Sequence, residues 1–275
     1  MNFTHPRQTP CADAVVSSYM AVHVPAIHRR DASLLRARPQ DTKLRAGLLS
    51  RWFNNFIERK NKLYKNIFYI NIIKMEIEIT DLKFHKFAII LDNVFTKEEC
   101  DSLIKLSEEI PANYTMAKIS YDDEEIIDTS YRNNQRWLNF DKKIAETFFE
   151  KIKSYVPAEF EGNPVSCVNE RLSFLKYSPG EYFRAHEDGY YIRPNNSEMS
   201  YITVQIYLND LHEEDGGATT FIEDANNRIY QDYSVIPKVG RVLLFEHDIE
   251  HEGSILKKGV KYCIRTDVMY SIIPE

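Results

Sequence analysis

Two residues close together and one far away carry the chemistry that this chain could do. His186 and Asp188 stand two apart in the stretch Tyr177-Ser-Pro-Gly-Glu-Tyr-Phe-Arg-Ala-His186-Glu187-Asp188, and His251 returns about sixty residues later. In an extended chain, alternate side chains share a face, which groups His186 with Asp188 and turns Glu187 away. Two imidazoles and one carboxylate on one side of a divalent ion leave coordination positions open. This is the donor set of a non-haem Fe(II) centre. The plainer reading of His-x-Asp alone is a surface pair, so its context decides.

That context is a chain of two characters. The whole sequence carries a formal charge of −6 and 43% hydrophobic residues, enough for a real core and with no overall basic excess for nucleic acid. Residues 1–74 hold 13 Lys or Arg against 4 Asp or Glu, whereas residues 75–275 carry a formal −15. The basic extension has no steady period. Three readings stand for it: an organellar transit peptide, a disordered tail, or an upstream segment that is not translated, with Met75 the start. The four cysteines, Cys11, Cys100, Cys167 and Cys263, have neither zinc nor redox spacing. They fit a reduced, cytoplasmic protein, or a mitochondrial one if the extension is a transit peptide. No run of 18 apolar residues marks a membrane span.

The elements that must position the three residues follow from Met75 onward. Phe87–Leu91 is an apolar run predicted as a buried strand. Thr96 and Glu99 form a capping box, behind which Cys100, Leu103, Ile104, Ser107 and Ile110 fall on one helical face, closed by Pro111. Asp141 opens a second helix, with Ile144, Phe148, Ile152 and Tyr155 inward and Pro157 at its end. Between them, Asp122–Glu125 reads as a solvated acidic loop, and Arg132–Trp137 as surface or site lining. From residue 165 the pattern is one of strands: Arg171–Tyr177, Phe183–His186, Tyr201–Leu208, Ala218–Ile222, Arg241–Phe245 and Lys261–Tyr270. Residues 189–200 and 235–240 read as loop and turn. Short strands at this spacing predict a sandwich or barrel. With two helices in front, the fold class is α+β with a jelly-roll core over about residues 165–272.

In order, the chain shows Tyr177-x-x-Gly180-x-x-Phe183-x-x-His186-x-Asp188, Ile206-Tyr207-Leu208-Asn209 and Gly216-Gly217-x-Thr219-x-Phe221. These are followed by Pro237-x-x-Gly240-x-x-Leu243-Leu244-Phe245, His251-Glu252-Gly253, Gly259-x-Lys261-Tyr262 and Arg265-x-Asp267-x-Met269-Tyr270. This succession resembles the prolyl 4-hydroxylase-like branch of the Fe(II)/2-oxoglutarate-dependent dioxygenases, over about 180 residues after Val94. Residues 1–74 have no counterpart.

The resemblance implies a double-stranded β-helix (jelly roll) with supporting N-terminal helices. It implies Fe(II) held by His186, Asp188 and His251, with 2-oxoglutarate and O2 as cosubstrates and L-ascorbate keeping the iron reduced. It places Lys261, ten residues after His251, on the distal carboxylate of 2-oxoglutarate, with the Tyr177 and Tyr207 hydroxyls beside it. Arg265, on the same strand face as Lys261, is the rival anchor, because its planar fork suits a carboxylate. The implied reaction hydroxylates a C–H bond, by default of a peptidyl proline, and releases succinate and CO2.

Plainer roles stay open: Lys261 as a solvated strand residue, Arg265 paired with Asp267, and the tyrosines as strand packing. Two rival functions are carried as well. One is an inactive jelly-roll binding module. The other is a zinc peptidase using His247, Glu250 and His251, whose His-x-x-Glu-His spacing would need a helix. A protein or peptide substrate is expected, and oligomeric state is not legible.

Overall fold

The computed structural model describes residues 76–121 and 124–273. The basic extension expected over 1–74 lies outside the described residues. The strands in chain order are β1 (Glu78–Asp81), β2 (Ala88–Asp92), β3 (Thr115–Met116), β4 (Ile119–Tyr121), β5 (Glu124–Ile126), β6 (Gln135–Phe140), β7 (Glu159–Phe160), β8 (Asn163–Val168), β9 (Arg171–Tyr177), β10 (Phe183–His186), β11 (Glu198–Tyr207), β12 (Thr219–Phe221), β13 (Tyr233–Val235), β14 (Val242–Glu246), β15 (His251–Gly253) and β16 (Lys261–Ser271). Two helices, α1 (Lys97–Glu108) and α2 (Lys142–Ile152), interrupt them.

A ten-stranded antiparallel sheet runs β1-β2-β14-β11-β16-β9-β6-β3, with β8 and β7 branching from β16. A four-stranded sheet, β10-β15-β12-β13, is the second layer. This is the α+β jelly roll expected from the strand pattern.

Period-two alternation explains why the central strands are apolar almost throughout. In β14, Val242 and Leu244 join one core, beneath the helices, and Leu243 and Phe245 join the other, between the sheets. In β2, Ile89 and Leu91 take the helix side, while Ala88 and Ile90 take the inner side.

The capping box forms as expected. Glu99 N–H donates to Thr96 Oγ1 at 3.2 Å, and Thr96 N–H donates to Glu99 Oε2 at 2.8 Å. Lys151 of α2 reaches the same carboxylate at 3.1 Å and ties the helices together. The buried face of α1 is Cys100, Leu103, Leu106 and Ser107. Ile104 is only half-buried, and Ile110 falls past the helix end. Asp141 caps α2 by accepting from the Lys143 and Ile144 N–H groups. Ile144, Phe148 and Ile152 face inward, and Tyr155 follows the helix, half-buried against the core.

Several expectations change. The acidic loop is in part strand β5, paired with β4, because backbone pairing can order an edge whose side chains stay in water. Residues 135–140 form a full strand against β9. Its alternation answers the question left open for Arg136 and Trp137. Trp137 packs on Phe174 at 4.9 Å between ring centres, and Arg136 faces the opposite way. The loop after Asp188 ends earlier than expected, since β11 starts at Glu198. Val235, read as turn, closes β13.

The three described cysteines are unbonded. Among the described residues no helix is long and apolar enough to cross a membrane.

Candidate active site

His186 and His251 meet because they are cross-strand partners in β10 and β15. Their rings lie 4.4 Å apart. Asp188 arrives differently. Strand β10 ends at His186, so strand alternation does not deliver the carboxylate. Its backbone N–H donates to the His247 carbonyl at 2.8 Å, and that bond sets its place. The ligand atoms of His186, Asp188 and His251 all lie within 4.8 Å of one another.

Both histidines are fixed in one tautomer. His186 Nδ1 lies 2.7 Å from the Arg184 carbonyl and His251 Nδ1 lies 2.9 Å from the Ile249 carbonyl. A carbonyl only accepts, so each Nδ1 carries the proton and each Nε2 presents a lone pair to the centre. These Nε2 atoms sit 3.9 Å and 3.8 Å from the Asp188 oxygens. Burial, and then the neighbouring His251, pushes the His186 imidazole down to about 3; burial lowers His251 as well. Both are neutral at pH 7, the form that binds a metal. Burial pushes the Asp188 carboxyl up, but Arg265, 3.2 Å away, holds it well below the usual carboxylate range. Two neutral Nε2 donors and one anionic oxygen fit a divalent ion of the Fe(II) class.

A second set of residues orients the first. Thr203 Oγ1 donates to Asp188 Oδ2 at 2.6 Å. Its one proton is then used, so the 2.8 Å contact with His247 Nδ1 has the imidazole donating. His247 Nε2 in turn accepts from Ser200 Oγ at 2.9 Å. His247 is fully buried, and burial pushes it down to about 4. It therefore serves the carboxylate through Thr203 and lies outside the ligand group. This corrects the peptidase reading. His247 sits in the turn after β14, His251 opens β15, and Glu250 is exposed between them, so no helix brings the pair to one face.

The centre opens into a cavity of about 640 Å³ lined by His186, Asp188, His251, Tyr177, Lys261 and Arg265, among others. Lys261 is 1% exposed and has no carboxylate partner among the described residues. Its Nζ lies 4.9 Å from the centre of the Tyr177 ring and 5.7 Å from that of Tyr207. Burial pushes its pKa down, the signature of a cation that lacks an anion. The Tyr177 ring borders the same cavity. Tyr207 is fully buried and gives its hydroxyl proton to Thr219 Oγ1 at 2.7 Å, so Thr219 is the one that lines the cavity. Arg265 stands apart from Lys261 by four strand residues, about 13 Å. Its Nη2 reaches both Asp188 and Asp267, at 3.2 and 3.1 Å, while its Nε is buried without a hydrogen-bond partner among the described residues.

Aromatic rings surround the histidines. Phe183 stacks on His186 at 3.6 Å, and Phe245 meets His251 edge-on at 4.7 Å. Beyond Asp188, Tyr190 and Tyr191 line the cavity from the connecting loop. Arg193, in the same loop, is pinned to Glu170 at 2.9 Å and to Glu198. Sequence reasoning missed Thr203, Thr219 and the service role of His247. Thr203 stands opposite Phe245 of β14 and Asp267 of β16. The signal available for it was a polar residue at an inward position of a largely apolar strand.

Residues 172–266 match the family model of the 2OG-Fe(II) oxygenase superfamily, a segment that holds His186, Asp188, His251, Lys261 and Arg265. No curated protein matched. Among solved structures, a prolyl hydroxylase from Trichoplax adhaerens, in complex with a hypoxia inducible factor oxygen degradation domain peptide fragment, aligns at TM-score 0.50 and 13% identity, covering 79% of this chain and 92% of its own. A Pseudomonas putida prolyl-4-hydroxylase aligns at 0.49 and 14%, covering 75% and 98%. A viral collagen prolyl hydroxylase from Paramecium Bursaria Chlorella virus-1 aligns at 0.46 and 18%, covering 68% and 98%. At these identities the likeness is one of fold.

Proposed function

We propose that this protein is an Fe(II)- and 2-oxoglutarate-dependent dioxygenase that hydroxylates a C–H bond of a peptidyl proline, with ascorbate as the reductant that maintains the iron. One observation carries the reading. Two Nε2 lone pairs and a carboxylate converge in the lining of a cavity that also holds Lys261, buried and without a carboxylate partner among the described residues. A peptide substrate is favoured by the open cavity and by the peptide-bound state of the Trichoplax enzyme.

In this reading, His186, Asp188 and His251 hold Fe(II). Bound iron would supply the oxygen chemistry, coupled to decarboxylation of 2-oxoglutarate to succinate and CO2. Lys261 meets the distal carboxylate of 2-oxoglutarate, an anion that removes the penalty of its own burial. Tyr177 stands beside it. Thr203 and Arg265 fix the Asp188 carboxylate, and Phe183 and Phe245 keep water from the histidine faces.

The test is succinate release from 2-oxoglutarate by the purified chain with Fe(II), ascorbate and proline-containing peptides, with His251→Ala as control. Fe(II)-dependent succinate that is lost in the variant supports the reading. Absence of both succinate and 2-oxoglutarate binding points to the inactive module instead.

A further inference from the structure

One wall of the cavity is built of arginines, three of which neither a metal centre nor a cosubstrate anchor uses. Alternation along paired strands turns Arg136 of β6 and Arg171 of β9 inward, on the face that also carries Arg265 of β16. Arg132, just before β6, completes the wall. It is 8% exposed, donates through Nε to Asn134 Oδ1 at 2.8 Å, and lies 4.2 Å over the Phe183 ring.

Charge accounting separates these four. Arg265 is met by Asp188 and Asp267. Arg136 is met only by Glu125, at 3.4 Å, and Glu125 is half-exposed. Arg132 and Arg171 have no carboxylate partner among the described residues. Burial pushes both below the ordinary arginine range, and pushes Arg136 down to about 10 with help from Arg132 and Arg171. Residues 75–275 are acidic, with a formal −15, so a shortage of carboxylates does not explain the unpaired guanidinia. Desolvated cations without an anion are costly, and the planar guanidinium fork matches a carboxylate bidentately.

We infer that the Arg132–Arg136–Arg171 wall binds a carboxylate of the substrate, so that the molecule hydroxylated is acidic near the reacting carbon. The carboxylate belongs either to an Asp or Glu flanking the target residue in a peptide or to a free carboxylic acid. The inference rests on the proposed function for the reaction, but on the cavity alone for the binding.

The experiment uses the full chain with Mn(II) and saturating 2-oxoglutarate, so that Lys261 is occupied. Fluorescein-labelled proline peptides differing only in Glu against Gln beside the proline are titrated by fluorescence anisotropy. The Glu peptide should bind at least about tenfold tighter, with the advantage shrinking as salt rises. Arg171→Gln should bring the two peptides level, and Arg171→Lys should keep part of the preference. Arg136→Gln serves if Arg171→Gln melts early. Displacement of the label by glutarate or tricarballylate at low millimolar concentration would assign the site to free acids; its absence would assign it to acidic peptides.

Equal binding of the Glu and Gln peptides, or failure of both peptides to bind, overturns the inference. Succinate release measured in parallel separates the two ideas. Turnover without a Glu preference sinks the anion site and leaves the oxygenase. A Glu preference without turnover of any acidic substrate does the reverse.

Discussion

Thr203 donates its hydroxyl proton to Asp188 at 2.6 Å while accepting from a buried His247 at 2.8 Å, so the carboxylate beside His186 and His251 is aimed by a hydroxyl that is itself aimed by an imidazole. This series of bonds ends at Ser200, whose Oγ also accepts from the Tyr191 N–H at 2.9 Å. Thr203→Val keeps the shape and removes the hydroxyl. It should weaken Mn(II) or Fe(II) binding by about tenfold, the usual effect of losing a partner of a metal ligand. Isothermal titration of the metal reads this directly. Unchanged affinity in a folded variant would mean that the backbone bond to His247 and the Arg265 contact suffice to place Asp188.

Lys261 and Arg265 lie on one strand face, but Arg265 meets Asp188 and Asp267 while Lys261 meets no carboxylate among the described residues. Lys261→Met should raise the Kd for 2-oxoglutarate by about 100-fold, equivalent to the roughly 2–3 kcal/mol of a charged hydrogen bond, with metal affinity little changed. Arg265→Gln should do the opposite, disturbing the metal centre through Asp188. Titration of 2-oxoglutarate into the Mn(II)-loaded variants decides. If Arg265→Gln carries the larger loss of 2-oxoglutarate affinity, the anchor assignment is reversed.

Away from the site, Asp92 and Arg241 join β2 to the start of β14 through paired bonds of 2.8 and 2.9 Å. Burial pushes the Asp92 carboxyl up, but Arg241 more than offsets it and holds it below its ordinary value. The folded pKa is therefore lower than the unfolded one. The contribution to stability is complete above about pH 4 and is lost as pH falls through the folded value. Asp92→Asn should cost about 3 kcal/mol at pH 7, since it leaves a largely buried guanidinium unpaired. Urea unfolding from about pH 7 to about pH 3 should show wild type and variant converging at the acid end. Parallel curves would refute this.

Gly240 has φ of 77°, and its missing Cβ would lie 2.0 Å from the Phe95 carbonyl oxygen. Its own carbonyl accepts from the Val94 and Phe95 N–H groups at 3.1 and 3.2 Å. Gly240→Ala should destabilise the fold by about 2–4 kcal/mol, combining the left-handed backbone with a backbone clash. Thermal melting checks it; a loss under about 1 kcal/mol would show that the turn can shift.

By itself the sequence determined the layers of this protein and the identity of its converging residues. The capping box of α1, the cap of α2 and the doubly apolar runs of β2, β11 and β14 are local patterns, and each needs only its own residues to be read. The triad was legible because ligand type and order lie in the chain. What the tertiary structure alone decided is which partner each charge meets. Arg265, read as a rival anchor for the cosubstrate, turns out to place its Nη2 beside both Asp188 and Asp267. Tyr207, read as a possible contact, turns out to give its hydroxyl proton to Thr219. His247 was half of a peptidase motif until Thr203 and Ser200 enclosed it. The physical reason is the same in each case. Hydrogen bonds and ion pairs act over about 3 Å, and the sheet sets those distances between residues that stand tens of positions apart in the chain.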